Sequence, residues 1–370
     1  MLKFSIEKNT LQNLLTEHHK VIPLRTTLPI LSTAFFKVEK NILTIKTTDL
    51  EQTITSSTTI EEEQDGNVCI PMGKLHEIVS AMPNDKIKFS TNEDFLIELN
   101  NKQGAYKITG RSPEEFPEDS ANKVLDKLKL KGQILYNIIN NTAYAASKDD
   151  LKPALSGVYF NFKKDGIIAV ATDGHRLVKN IIKETTNTDQ SLIIPVKFLN
   201  IIKNIIDKKE TVTIDIKENS LSTKQGNLII ETRVIKESYP DFNSVIPENN
   251  TMQANVNTSN LISCLKRVSI FSNRTTKQTI LDFSEKGIVV SAQDPETSTS
   301  GKEHVDCEYN GDNITTSYNA KYLIDVLQHI NTKEVNIYLS APLSAATIQE
   351  TDNSQEDETI NLLMPLRLNN

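Results

Sequence analysis

Residues 70–79 read IPMGKLHEIV, and two later stretches of the chain resemble them. Residues 194–202 read IPVKFLNII, and residues 317–327 read SYNAKYLIDVL. Each stretch opens a helical pattern with apolar residues three and four positions apart, and each leads through a charged turn into a strand-like run. A shared lysine recurs after 123 and then 124 residues, at Lys74, Lys197 and Lys321. Recurrence at one period predicts three copies of one structural unit.

Two further landmarks recur in the same order. A strand ends in a turn at an aspartate in each third of the chain, and these aspartates, Asp49, Asp173 and Asp294, are 124 and 121 residues apart. An amphipathic helix is predicted near the start of each third, and strand-like runs alternate polar and apolar residues between the helices. We therefore expect an α+β fold with two helices laid on antiparallel sheet in each of three domains, at 1–122, 128–250 and 252–370. The competing interpretation is three unrelated α+β domains of equal size.

The bulk composition limits the class of protein. A chain of 370 residues is too long for one ordinary core, and 38% hydrophobic with 24% charged residues is typical of a globular protein. No apolar run approaches the ~20 residues of a membrane span, and the first residues lack a secretory pattern. The three widely spaced cysteines predict neither a disulfide framework nor a zinc site. We expect a cytoplasmic protein with no membrane contact.

The net charge of −7 argues against a simple DNA-binding protein, but the charge is unevenly distributed. Across six predicted helical windows there are eight basic and four acidic residues, so the windows sum to +4 and the rest of the chain to −11. The windows are 8–20, 73–82, 132–147, 195–207, 258–272 and 319–330. A modestly basic set of helices suits sequence-independent contact with phosphates. For any single lysine, a solvated helix face remains the simpler interpretation.

Five motifs resemble those of one family, in the family's order. They are TLPIL at 27–31, TDLE at 48–51, ATDGHRL at 171–177, YPDF at 239–242 and MPLRL at 364–368. The chain resembles the bacterial DNA polymerase III beta subunit, the family of beta sliding clamps, over its whole length. The block at 171–177 is the most specific of the five.

The resemblance implies a processivity factor rather than an enzyme. Members are head-to-tail homodimers whose six domains close a ring around double-stranded DNA, without sequence preference. It also implies an ATP-dependent clamp loader that opens the ring, and a pocket that binds short peptides of the replicative DNA polymerase and other proteins with a clamp-binding motif. No cofactor and no metal is expected.

The resemblance also implies site residues, carried over by motif. The partner-peptide pocket would use Leu155, Thr172, Gly174, His175, Arg176, Leu177, Pro240, Val245, Leu362, Met364, Pro365, Leu366 and Arg367. Arg176, Arg367 and His175 are expected to hold the peptide's polar groups, while the apolar residues form an adaptable trough. The DNA-facing residues would be Arg25, Lys74, Lys148, Lys152, Lys197, Lys203, Lys266 and Arg267. Ile270 and Phe271 are expected at the dimer interface, with an ordinary core position as the alternative.

The chain departs from the family at three places. Leu366 replaces a second methionine in the tail, Asn369 and Asn370 extend past the usual last leucine, and Pro153-Ala154 replaces a more aromatic pair. The first change conserves volume, and the third alters a loop that Lys148 and Lys152 keep basic.

The sequence leaves two other function classes to consider, an enzyme and an interaction scaffold. Asp173 and His175 invite a catalytic interpretation, but no second cluster completes a metal site, and no phosphate-binding loop or nucleophile elbow is present. Asp173 is better explained as a turn residue, because Asp49 and Asp294 occupy the equivalent positions without a histidine. The remaining alternative is a repeat-built interaction scaffold that never encircles DNA.

Overall fold

The structure is a computed structural model that describes residues 2–118, 123–149, 151–351 and 357–368, without the side chains at 62 and 63. The Asn369–Asn370 extension lies outside the described residues. None of the described helices is long and apolar enough to cross a membrane.

Six α-helices occur in the described residues, two in each predicted repeat. They are α1 (Lys8–His18), α2 (Met72–Ala81), α3 (Gly132–Thr142), α4 (Val196–Ile205), α5 (Thr258–Val268) and α6 (Ala320–Leu327). Each lies inside or within one residue of its predicted window. The helices α3 and α5 end earlier than predicted because the chain tightens into 3₁₀ turns at Ala143–Ala145 and Ser269–Phe271.

The described residues also form 26 strands. They are β1 (Lys3–Glu7), β2 (Thr33–Glu39), β3 (Ile42–Thr48), β4 (Gln52–Thr59), β5 (Glu61–Gln64), β6 (Gly66–Pro71), β7 (Lys86–Thr91), β8 (Leu96–Asn100), β9 (Ala105–Thr109), β10 (Val124–Lys131), β11 (Gly157–Lys163), β12 (Gly166–Thr172), β13 (Arg176–Ile182), β14 (Gln190–Pro195), β15 (Thr211–Lys217), β16 (Ser220–Gln225), β17 (Leu228–Arg233), β18 (Met252–Asn257), β19 (Gln278–Ser284), β20 (Gly287–Asp294), β21 (Thr299–Val305), β22 (Cys307–Asn310), β23 (Ile314–Asn319), β24 (Glu334–Leu339), β25 (Ala346–Glu350) and β26 (Asp357–Leu363). Their pairings are antiparallel, as predicted.

The chain folds into two compact units. Unit 1 comprises Met1–Tyr136 and Lys197–Val234, and unit 2 comprises Asn137–Val196 and Ile235–Asn370. Unit 1 holds a five-stranded sheet in the order β5-β1-β7-β8-β9 and an eight-stranded sheet in the order β10-β15-β16-β17-β4-β3-β2-β6. Its main core packs apolar side chains of α1 and α2, such as Leu11 and Leu75, against strand residues such as Phe36 and Phe89.

Unit 2 holds a nine-stranded sheet in the order β14-β11-β12-β13-β26-β25-β24-β18-β22 and a four-stranded sheet in the order β21-β20-β19-β23. Asparagine side chains start its helices. Asn257 accepts the backbone N–H of Asn260 at the start of α5, and Asn319 accepts those of Lys321 and Tyr322 at the start of α6. The apolar faces of both helices then pack on one core, with Leu261 and Leu323 buried in it.

Sheet pairing explains why three repeats fold as two units. The pair β4–β17 extends the first repeat's strands into the second, and the pair β13–β26 joins the second repeat to the third. The second repeat is therefore shared between the units, and α3 itself is divided between Tyr136 and Asn137. The three predicted domain ranges remain predictions.

Candidate peptide-binding site and DNA-facing residues

The turn between β12 and β13 is organised by Asp173. Its Oδ1 accepts the backbone N–H groups of His175 at 2.9 Å and Arg176 at 3.0 Å. The Thr172 hydroxyl donates to the Arg176 carbonyl at 2.7 Å, and Gly174 adopts a φ of +89°, which a residue without Cβ adopts easily. The interpretation of Asp173 as a turn residue is thus confirmed.

The equivalent aspartates make the same kind of turn. Asp49 Oδ1 accepts the N–H groups of Glu51 at 3.1 Å and Gln52 at 2.6 Å, and Asp294 Oδ1 accepts that of Glu296 at 3.2 Å. In all three repeats the aspartate carboxylate accepts the backbone N–H of the residue two positions later. The geometry at Asp173 is therefore explained by the turn, without a catalytic role. In the described part of the chain, no group of three or more His, Cys, Asp or Glu side chains is placed to hold a metal ion.

Arg176 is buried, and its donors are bonded to groups of the protein itself. Its Nε donates to Asp173 Oδ2 at 3.1 Å and its Nη1 to Asp325 Oδ2 at 2.8 Å. Its Nη2 donates to the Tyr144 carbonyl at 2.8 Å, and the guanidinium carbon lies 4.6 Å from the Tyr322 ring centroid. The guanidinium therefore ties β13 to α6 and to the segment after α3, and its contact with a peptide stays a prediction.

Beside this turn lies an apolar cluster separate from the main core of unit 2. Leu177 pairs with Leu362 across β13 and β26, and both are buried with Val170 and Ala345. Partly buried aromatic rings pack on the cluster, namely those of Tyr159, Tyr239 and Phe242. Burial raises the pKa of Tyr239 well above its usual range, and its hydroxyl donates to the Val170 carbonyl. Two of the predicted pocket leucines thus form the base of a surface cluster.

The tail of the chain is fixed next to the same turn. The backbone N–H of Met364 donates to the His175 carbonyl at 2.9 Å, and that of Leu366 donates to the Ser317 carbonyl at 2.7 Å. The Met364 side chain is 42% exposed, so its apolar surface is available to a partner. The Arg367 carbonyl accepts from Gln278 Nε2, while the Arg367 side chain is exposed. Pro365 and Leu366 are half-buried.

The other three predicted pocket residues, Leu155, Pro240 and Val245, also belong to unit 2. Val245 is 51% exposed and Pro240 is exposed, and both lie within a few residues of Tyr239 and Phe242 in the sequence. Leu155 is half-buried in the 3₁₀ turn Pro153–Ser156, and its carbonyl accepts the N–H of Ser147.

Sequence reasoning missed several rings of the site. Tyr159 stacks on Tyr239 with 5.2 Å between ring centroids, and the exposed His175 ring lies 6.0 Å from that of Tyr322. Side chains of β11 alternate between the two faces of the sheet, and this alternation could have pointed to Tyr159. Val158 and Phe160 are buried, and Tyr159 projects from the opposite face. Tyr322 lies about 150 residues from His175 in sequence, and no spacing rule connects them.

The predicted DNA-facing cations are at the surface, but several are neutralised. Lys74 pairs with Glu77 at 2.9 Å, Lys197 with Asp49 at 2.5 Å, and Arg267 with Glu303 at 2.6 Å. Each of these carboxylates offsets one positive charge, so the positive potential is lower than the count of basic residues suggests. Lys203 is half-buried, and the other four, Arg25, Lys148, Lys152 and Lys266, are exposed.

Ile270 and Phe271 are not core residues. Ile270 is 77% exposed and Phe271 is 36% exposed, in the 3₁₀ turn that follows α5. The Phe271 ring lies against Gly301 of β21, where any side chain would clash with it. The core alternative is therefore wrong, and the two residues form an apolar projection beside an edge strand.

A threefold repeat of paired helices on antiparallel sheet, with an apolar cluster beside a fixed tail, defines the sliding-clamp class. Family models of the DNA polymerase III beta subunit match the chain in order: the N-terminal domain at residues 2–120, the central domain at 129–241 and the C-terminal domain at 243–367. The chain belongs to the DNA polymerase III beta subunit family.

Similar proteins agree over the full length. The "Beta sliding clamp" proteins of Staphylococcus epidermidis and Staphylococcus aureus are each 27% identical and are covered completely by 99% of this chain. A DnaN sliding clamp from Pseudomonas aeruginosa bound to griselimycin superposes with a TM-score of 0.94 at 24% identity, over 99% of this chain and 100% of that one. The DNA polymerase III beta subunit of Thermotoga maritima superposes with a TM-score of 0.92 at 22% identity, with both chains fully covered. At these identities the structural similarity establishes the fold.

Proposed function

We propose that this protein is a DNA polymerase processivity factor, a sliding clamp that encircles duplex DNA and tethers polymerases to it. The observation that carries the proposal is the match of all three repeats, in order and over nearly the whole chain, to the domains of the DNA polymerase III beta subunit. The protein has no catalytic role in this proposal. It acts in the cytoplasm, where bacterial DNA is replicated.

A head-to-tail homodimer closes the ring in this proposal. Two open sheet edges support it. The strand β9 is one edge of the five-stranded sheet in unit 1, and β21 is one edge of the four-stranded sheet in unit 2. An open edge presents unpaired N–H and C=O groups that can form hydrogen bonds with a strand of another chain. Ile270 and Phe271, beside β21, would add apolar contact between the two copies.

The surface at the β12–β13 turn is the proposed peptide site. It combines a buried apolar base of Leu177 and Leu362 with an exposed, adaptable Met364 and exposed polar groups at His175 and Arg367. Short peptides draw most of their affinity from a few anchors in such a surface. The partners proposed for it are the replicative polymerase, the clamp loader and other proteins with a clamp-binding motif.

The decisive experiment is retention on nicked circular DNA. The protein is loaded with its clamp loader and ATP, the salt concentration is raised, and bound protein is measured by gel filtration before and after one cut linearises the circle. We expect retention in high salt that is lost on linearisation, because only topological linkage survives screening of phosphate contacts. Loss from the intact circle in high salt would reject the closed ring. No loading by an active loader would favour the interaction scaffold.

A further inference from the structure

The strand β10 of unit 1 is paired on one side only. It runs directly into the first helix of the second repeat, as β1 and β18 do in the first and third repeats. Those two strands are each paired on both sides, β1 with β7 and β5, and β18 with β24 and β22. The strand β10 pairs with β15, and no second partner strand is found among the described residues. Its other edge therefore presents N–H and C=O groups that no strand of the described chain pairs.

Three lysines alternate along this edge strand. Lys127, Lys129 and Lys131 are exposed, whereas Leu128 and Leu130 between them are buried. Because successive side chains of a strand point to opposite faces, the lysines lie on one face, about 6.8 Å apart. This spacing equals that of alternate residues in a second strand laid beside β10.

Only one of the three lysines is neutralised. Lys127 forms an ion pair with Asp215 of β15 at 3.1 Å. Lys129 lies opposite Thr213 and Lys131 opposite Thr211, so β15 offers them no carboxylate. Neither forms an ion pair with a carboxylate in the described part of the chain.

The same face stays basic across β15 and β16. Lys224 of β16 lies opposite Thr213, which places it in one row with Lys129, and it is exposed without an ion pair to a described carboxylate. The neighbouring Lys217 and Glu231 neutralise each other at 2.7 Å. Three ammonium groups thus face solvent without a carboxylate partner, in a chain whose net charge is −7. This face attracts an acidic ligand.

We propose that the free edge of β10 binds an extended segment of a partner protein in which acidic residues occupy every second position. The segment adds a strand to the sheet through main-chain hydrogen bonds, and its carboxylates lie across from Lys129 and Lys131. This surface goes beyond the proposed function, because its ligand is neither the apolar peptide of the β12–β13 turn nor the encircled DNA. The strands β10, β15, β16 and β17 contain no aromatic residue, so the face offers single-stranded nucleic acid no stacking platform.

Protection against aggregation is the competing explanation for these lysines. Charged side chains on an edge strand, lysines especially, discourage pairing with other chains. On that explanation, the edge pairs with no segment, and an acidic peptide is held by its charge alone whatever the order of its residues. A bound strand predicts instead that the position of each carboxylate matters.

The test measures binding of fluorescein-labelled peptides to the full chain by anisotropy at low salt. One peptide alternates Glu with Thr, and a second has the same composition with its Glu residues gathered at one end. We expect the alternating peptide to bind at least about tenfold more tightly, because it places every carboxylate on the lysine face. Replacement of two of its Thr residues by Pro should abolish binding, since Pro donates no hydrogen bond to the edge.

A charge swap links the binding to the two unpaired lysines. The double variant Lys129→Glu, Lys131→Glu should lose at least about tenfold in affinity for the alternating Glu peptide and should gain affinity for a peptide that alternates Lys with Thr. The matched control is Lys163→Glu, Lys164→Glu, which reverses two exposed charges at the turn between β11 and β12. It should keep the wild-type preference.

Equal affinities of the alternating and clustered Glu peptides would overturn the proposal, as would no binding by the wild-type protein or an unchanged preference in the double variant. A thymidine oligonucleotide that binds more tightly than the alternating peptide, and only when Lys129 and Lys131 are present, would assign the face to nucleic acid and overturn the acidic segment. Retention on circular DNA is measured separately, so each of these failures leaves the proposed function standing.

Discussion

At the scale of single residues, sequence motifs do not show which partners a buried polar side chain contacts. Arg176 belongs to the most specific motif of the chain, yet its partners Asp325 and Tyr144 lie far away in sequence. A motif identifies the arginine but not where its five donors point. The expected contact of Arg176 with a peptide therefore stays a prediction, and the contacts in the structure are with Asp173, Asp325 and Tyr144.

His18 is a second buried polar residue, and it predicts a pH effect. Its Nδ1 lies 2.9 Å from the Thr47 hydroxyl and its Nε2 lies 2.7 Å from the Ser56 hydroxyl, inside unit 1. Burial lowers the pKa of His18 from 6.5 to about 3. Between those two pH values the unfolded chain binds more protons than the folded one. The contribution of neutral His18 to the free energy of unfolding is therefore fully present above pH 6.5 and is lost as the pH falls below that value.

We expect His18 to account for a loss of about 2 kcal/mol in the free energy of unfolding between pH 7 and pH 5. Urea denaturation at both pH values would measure it, and His18→Gln should flatten the dependence by that amount. Ser56→Ala is the control, because it weakens a hydrogen bond without removing a titrating group, and so should lower stability equally at both pH values. A His18→Gln protein with the wild-type pH dependence would refute the assignment.

At the scale of elements, strand pairing explains why one repeat junction forms an apolar site. In unit 2, Leu177 lies opposite Leu362 in the pair β13–β26. At the equivalent position of the pair β4–β17 in unit 1, Thr53 lies opposite Glu231. Two leucines make an anchor surface, whereas a threonine and a carboxylate favour water. The repeated framework is thus the same, and the side chains at one paired position decide which junction suits an apolar peptide.

The tail is the element on which the proposed peptide site depends. Residues 364–368 continue from β26 and are tied by backbone hydrogen bonds to His175 and Ser317. We expect a chain ending at Leu363 to lose at least about 30-fold in affinity for a peptide copied from the polymerase's clamp-binding segment, since it lacks the Met364 anchor and the ordered rim. Fluorescence anisotropy of the labelled peptide would measure the loss.

A chain ending at Leu368 provides the control for this truncation. It removes only Asn369 and Asn370, so its affinity should equal that of the full chain. Undiminished binding by the chain ending at Leu363, with far-ultraviolet circular dichroism unchanged, would mean that the peptide binds elsewhere.

Elements were predictable from sequence to the extent that they are local. Apolar spacing located all six helices, because each helix buries one face on its own repeat. The pairs β4–β17 and β13–β26 were not predictable. Polar and apolar residues alternate along a strand in the same way whichever strand it pairs with, so the pattern does not identify the neighbour. Leu177 and Leu362 could be assigned to one site through the family resemblance, whereas Tyr159 could not, since no motif marked it.

At the scale of the whole molecule, the repeat leaves strand edges that one chain does not pair. In the described residues β9 and β21 end their sheets, and the turn that carries Ile270 and Phe271 lies against β21. Exposed apolar side chains next to an open edge are costly in a monomer and favourable at an interface. The proposed head-to-tail dimer uses both features, because heterologous contacts that close after two copies make a ring.

We expect the double variant Ile270→Asp, Phe271→Asp to raise the dimer dissociation constant at least about 30-fold, because two buried anchors would be replaced by carboxylates without partners. Sedimentation equilibrium would measure this. Leu151→Asp is the matched control, since Leu151 is 89% exposed in the same unit and lies outside the proposed interface.

The double variant Ile270→Asp, Phe271→Asp should still bind the polymerase peptide, because the site at Leu177 and Met364 lies within one chain. It should not be retained on circular DNA. A variant that dimerises like the wild type would place the seam elsewhere, and one that dissociates yet stays on the circle would exclude a two-copy ring.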